Sequence, residues 1–211
     1  MNVYIDSNFV LEITLEQEQF AAASNIHMLA QMGRIQLVCP TLCIAEPLAR
    51  LTQRRQERRV LRDDLKEHAK QLSRTGSHHE DVQKMEGVQD FLKNLDDLEA
   101  AKMRQFLISL LRHCRVLAID EQVLSHTWLI QEDYDLEIQD ALIAASVLID
   151  LDRQGAPGSH SESIFVSRDS RAFAALKERL KPYNCSYIAK FTDAFSRINA
   201  KLTRPENPKP S

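Results

Sequence analysis

The chain has 211 residues, 44% hydrophobic and 27% charged, a balance that suits one soluble globular domain with a large insertion, or at most two small domains. No stretch approaches the roughly 20 uninterrupted apolar residues of a membrane span, and the opening MNVYID lacks the basic-then-apolar pattern of an export signal, so a cytoplasmic protein is expected. The net charge of −3 neither demands nor excludes a nucleic-acid partner, because an acidic pocket and a basic face cancel in the sum.

Residues 3–5 form a short apolar run that stops at Asp6-Ser7-Asn8, as a buried strand does when it delivers polar groups to its C-terminal edge. Thr14 with Gln17 has capping-box spacing and predicts a first helix running toward Met32, stopped by Gly33. Further strands are expected at residues 35–39, 115–119, 164–167 and 185–189, each rich in Val, Ile or Leu and separated by helical pattern. That alternation predicts an α/β fold with a mainly parallel sheet, whose sites lie at the carboxyl ends of the strands.

Between the second and third strands lies a charged, helix-compatible stretch. One helix is expected over residues 42–72, a break over 73–77, and a helix or helix pair from the capping box Ser77-x-x-Glu80 to about His113. Residues 50–113 therefore read as an inserted helical arm in a single domain of residues 1–203. Asp135 is the expected N-cap of a helix over 136–153 that Gly155 closes, and Thr192 that of a final helix over 193–202. The proline-containing tail, residues 204–211, is expected to be flexible. Cys39, Cys43, Cys114 and Cys185 show neither zinc spacing nor disulfide-scaffold density and are expected to be reduced, buried thiols.

Four acids stand out. Asp6 ends the first strand, Glu46 follows the second, Asp140 lies one turn into a helix, and Asp169 follows the fourth strand. In a parallel sheet all four converge on one edge, where like charges repel until a divalent cation relieves them. Oxygen donors without His or Cys favour Mg²⁺ or Mn²⁺ over zinc, and the matching chemistry is phosphodiester hydrolysis by an activated water.

The same residues sit in four segments that resemble the PIN-domain family. VYIDSNFVL is similar to the family's opening strand ending in Asp, and CPTLCIAEPL to its second motif, a strand leading to a helix with a Glu. DLEIQDALIAASVL closely resembles the third motif, and IFVSRDSRAF the fourth. The resemblance covers residues 1–50 and 115–195. It implies a three-layer α/β/α fold and a Mg²⁺- or Mn²⁺-dependent ribonuclease using Asp6, Glu46, Asp140 and Asp169 as catalytic metal ligands. It leaves room for a toxin role with an antitoxin or other protein partner, and for a homodimer. The arm departs from the compact toxin members and matches no motif of the family.

Each residue also has a plain structural reading. Asp6 can end a turn, Asp140 can pair with a buried Arg, Asp169 can cap the helix through Phe173, and an N-terminal Glu46 can answer a helix dipole. Pro47 is expected in a first helical turn, which sets Glu46 at the helix start. Ser7, Asn8 and Ser167 are candidate supporting hydrogen-bond partners, and Glu137 a candidate fifth acid. Arg50, Arg54, Arg55, Arg58, Arg59 and Arg62 make a basic face for a phosphate backbone, or a solvated face balanced by Glu57, Asp63, Asp64 and Glu67. Trp128 and Phe173 are expected in the core, and His78, His79 and His113 at or near the surface. A phosphatase of haloacid-dehalogenase type is disfavoured because Asn8 stands where a second acid is needed, and a receiver domain because only Glu121 accompanies Asp120. The alternative from another class is a PIN-like module that does not cleave and binds RNA or protein through its arm.

Overall fold

The computed structural model describes residues 1–74, 76–156, 158 and 161–203; the predicted tail, residues 204–211, lies outside them. Five strands, β1 (Asn2–Ile5), β2 (Gln36–Pro40), β3 (Cys114–Leu117), β4 (Ser163–Val166) and β5 (Cys185–Ile188), form one sheet. The order is β3-β2-β1-β4-β5 and every pairing is parallel. The central strands are continuous apolar runs because helices cover both faces of a parallel sheet; Val3, Tyr4, Ile5, Ile164, Phe165 and Val166 have no exposed surface.

Chain contacts divide the molecule into a sheet unit, Met1–Glu46 with Phe106–Ser211, and an arm unit, Pro47–Gln105. In the sheet unit, α1 (Ser7–Thr14), α2 (Phe20–Gln31) and α9 (Phe191–Leu202) pack together, with α2 against β2 and α9 against β4 and β5. On the sheet's other side, α5 (Glu121–Tyr134) pairs with α6 (Ile138–Gln154), and α6 contacts β2. The result is a three-layer α/β/α fold. Two short helices, α7 (Ser170–Phe173) and α8 (Lys177–Leu180), connect β4 to β5.

The arm unit is built from α3 (Leu42–Leu72) and α4 (His79–His113), joined through a 3₁₀ turn at Gly76–His78. The last turns of α4 belong to the sheet unit, where Phe106, Leu107 and Leu110 are buried, so the arm ends earlier than the predicted residue 113. Inside the arm Arg58 reaches both Asp96, at 2.9 Å, and Glu99, at 2.8 and 2.9 Å. Both acids are buried, 5% and 8% exposed, so the clasp is an interior ion cluster in an arm that also buries Leu51, Ala69 and Met103.

Several local expectations are corrected. The first helical region is two helices, because α1 begins directly after Asp6 and the chain breaks at Glu16, whose φ of 51° is left-handed. Thr14 ends α1 and its hydroxyl bonds back to the Val10 carbonyl at 2.8 Å, so it caps nothing. Asp135 is left-handed (φ 50°) and closes α5 instead of opening α6, whose N-cap is Glu137. Thr192 lies inside α9, which starts at Phe191. Pro47 is the sixth residue of α3, beyond the first turn. Trp128 is 56% exposed, because α5 turns Val123, Thr127 and Ile130 inward and Trp128 away from them.

Candidate active site

In an open parallel sheet the ligand crevice forms where strand order reverses, since connections on either side leave in opposite directions. Here the chain runs β1-β2-β3 outward and then returns to place β4 on the other side of β1. The reversal lies between β1 and β4. Their register pairs Ile5 with Val166, so the next residues, Asp6 and Ser167, emerge together at the carboxyl edge.

Asp6 is 1% exposed. Its Oδ1 accepts the Phe9 backbone N–H at 3.3 Å, capping α1, while Oδ2 accepts Asn8 Nδ2 at 2.9 Å and Ser167 Oγ at 2.5 Å. Burial nevertheless pushes its pKa up to about 6; the three hydrogen bonds pull down and the Glu46 charge adds to the rise. Ser167 also accepts the Asp169 N–H at 3.0 Å, so one hydroxyl ties the two acids to a common frame. Asp169 Oδ1 accepts the Ala172 N–H at 2.9 Å and caps α7, which leaves Oδ2 for other partners. For Asp169 the plain capping reading is therefore realised, on Oδ1 alone, whereas Asp6 caps α1 with Oδ1 and takes two further hydrogen bonds on Oδ2.

Asp140 lies in the first turn of α6 and is half-buried. Its pKa is raised to about 6 by desolvation and then by the charges of Asp169, Glu46 and Glu137. Among the described residues no Arg or Lys forms an ion pair with it. Glu46 is half-buried in the second turn of α3, within electrostatic range of both Asp6 and Asp140, and Glu137 is exposed at the start of α6. Ser7 is buried but makes no side-chain hydrogen bond among the described residues.

Three further groups border the acids without having been singled out in the sequence. The Tyr187 hydroxyl donates to the Ser167 carbonyl at 3.0 Å, and burial with the charges of Asp6 and Asp169 holds its phenol well above the usual range. Cys43 Sγ donates to the Ile5 carbonyl at 3.6 Å beside Asp6 and Glu46. Arg168, between Ser167 and Asp169, turns away from the acids to the fully buried Glu12, to Gln17 at 3.4 Å and to Glu18 at 2.7 Å. Only the Ser-x-Asp spacing signals any of these. Tyr187 comes from the neighbouring strand and Glu12 from another helix, so no local pattern links them.

Among the described residues, no three His, Cys, Asp or Glu side chains are clustered so as to hold a metal ion by themselves. The donors still fit a hard divalent cation in kind and in charge: all are carboxylates, Asp6 and Asp140 are held above their normal range, and Mg²⁺ commonly takes only one or two protein carboxylates and keeps its waters.

A parallel α/β sheet with acidic side chains at the carboxyl edge of its switch point is the class that fold and site define. The PIN domain model matches residues 3–173, a span that holds all four acids, and the chain belongs to the PIN-domain family. That fold is of nuclease type. A search of curated proteins finds no match. No helix among the described residues is long and apolar enough to cross a membrane.

Proposed function

We propose that the protein is a metal-dependent ribonuclease that hydrolyses phosphodiester bonds at the edge formed by Asp6, Glu46, Asp140 and Asp169. The observation that carries this reading is a buried Asp6 and a half-buried Asp140, both within electrostatic range of Glu46, raised above the ordinary carboxylate range and, among the described residues, without an ion pair to Lys or Arg. A bound Mg²⁺ or Mn²⁺ supplies charge for the phosphate oxygens and lowers the pKa of an attacking water.

The chain's residues do the positioning. Ser167, Asn8 and the Phe9 N–H fix the Asp6 carboxylate in one orientation, and the Ala172 and Ser167 bonds fix Asp169. Asp140, which faces the charges of Asp169, Glu46 and Glu137 and makes no hydrogen bond or ion pair among the described residues, would lend its carboxylate to the cation. Of the arm arginines expected to meet nucleic acid, Arg50, Arg54, Arg58 and Arg62, Arg58 is committed to Asp96 and Glu99 and Arg62 lies 3.8 Å from Asp96, so the proposed contact centres on the exposed Arg54.

A toxin of a toxin–antitoxin pair is the biological setting proposed for this activity. A small reading frame encoding an antitoxin beside the gene supports it, and its absence counts against it. Incubation with single-stranded and structured RNA tests the chemistry. Cleavage is expected with Mn²⁺, lost with EDTA, and reduced at least about 100-fold in Asp6→Asn and Asp140→Asn, the scale of losing one preorganised electrostatic group. Cleavage that survives EDTA, or both substitutions, overturns the mechanism.

A further inference from the structure

Beside the acidic site lies an open cavity of about 440 Å³ lined by Asn8, Gln17, Arg168, Asp169, Ser170 and Arg171. Asn8 and Asp169 belong to the acid framework already described; Glu46 and Asp140 do not line it. The cavity therefore adjoins the site on its β4 side. Its two cations differ in kind. Arg168 is neutralised, anchored to Glu12, Gln17 and Glu18. Arg171 is exposed and, among the described residues, has no ion pair or hydrogen bond. It stands two residues beyond Asp169 in α7, a one-turn helix that the Asp169 carboxylate itself pins. A polyanionic chain approaching four carboxylates is repelled, and a cation at the rim offsets that repulsion for the phosphate next in line.

We propose that this cavity seats a backbone phosphate of the RNA one nucleotide away from the scissile bond, with Arg171 as its ligand and Arg168 as the fixed wall that positions it. For its ligand class this seat rests on the ribonuclease reading of the acidic edge. Arg171 acts on substrate hold and register, so its loss falls on KM more than on kcat.

The test uses full-length protein carrying Asp140→Asn, with binding of a labelled single-stranded oligouridylate read by fluorescence anisotropy across a salt series in Mg²⁺. Adding Arg171→Ala is expected to weaken binding about tenfold, the scale of one charge-assisted contact, and to reduce the steepness of the log–log salt dependence by about 0.7, one phosphate's share on a single strand. Arg171→Lys is expected to restore the salt dependence and Arg171→Glu to weaken binding further. Unchanged affinity and salt slope in Arg171→Ala overturn the seat. In parallel, cleavage by protein with Asp140 intact is followed with Mn²⁺. Cleavage together with a silent Arg171→Ala sinks the seat alone, whereas loss of binding in Arg171→Ala without cleavage by the unmodified protein supports the seat and sinks the catalytic reading.

Discussion

Asp6 and Asp140 are carboxylates kept in surroundings that penalise their charge, and this has a direction that can be measured. Both are raised from an ordinary 3.8 to about 6, so at intermediate pH the metal-free folded chain holds protons that the unfolded chain has released. At neutral pH these two groups oppose folding; the opposition fades as pH falls through about 6 and is gone near 4. For the buried Asp6 it amounts to roughly 2 to 3 kcal/mol. Metal-free protein is therefore expected to melt at higher temperature at about pH 5.5 than at about 7.5, with the difference reduced by Asp140→Asn and removed at the higher pH by Mn²⁺. A melting temperature that falls steadily on acidification contradicts it. Ser167 supplies a second check. Its hydroxyl favours the charged form of Asp6, so Ser167→Ala is expected to push the Asp6 pKa higher and to move the acid limb of the cleavage profile to higher pH. A pH–rate series on both proteins reads this directly.

At the scale of elements, all five strands were legible because each is a short run rich in apolar residues, and β1, β2 and β4 are each followed directly by a polar residue, Asp6, Thr41 and Ser167. The helix boundaries around them were not. Asp6 reads as a strand terminus, and nothing local says that the same side chain also starts α1; the break at Glu16 and the left-handed Asp135 depend on backbone conformations that no periodicity reports. α5 escaped notice because its inward positions are few and its Trp128 faces out. The tie between α1 and the loop after β4 was equally invisible, being made by Glu12 and Arg168 across 156 residues of sequence. It is strong: Glu12 has no exposed surface, and removing its partner leaves an unpaired buried charge. Arg168→Ala is expected to cost about 3 kcal/mol in chemical denaturation, and Arg168→Met with Glu12→Gln to recover most of it, because Gln keeps an acceptor for the Gln19 N–H. A double variant as unstable as the single one refutes the charge argument.

For the whole molecule, charge is divided unevenly in a way that the net −3 conceals. Residues 47–105 carry 13 Lys and Arg against 11 Asp and Glu, leaving 14 against 19 in the unit that holds the acidic site. Arginine number alone overstates what the arm offers to RNA, because Arg58 is consumed by Asp96 and Glu99, and Arg55 and Arg62 lie 3.7 and 3.8 Å from Asp97 and Asp96. Arg54 and Arg59 are exposed and, among the described residues, carry no ion pair. Two kinds of arginine substitution should therefore separate. Arg54→Ala with Arg59→Ala is expected to lower the steepness of the salt dependence of RNA binding by about 1.4, two single-strand phosphates' worth, while leaving the melting curve in place. Arg58→Ala strands two buried carboxylates; it is expected to speed hydrogen exchange across α3 and α4 within residues 47–105 while amides of β1 and β4 keep their protection. An Arg58→Ala protein with unaltered exchange but weakened RNA binding would reverse the assignment, making Arg58 a nucleic-acid contact and the Asp96–Glu99 clasp incidental.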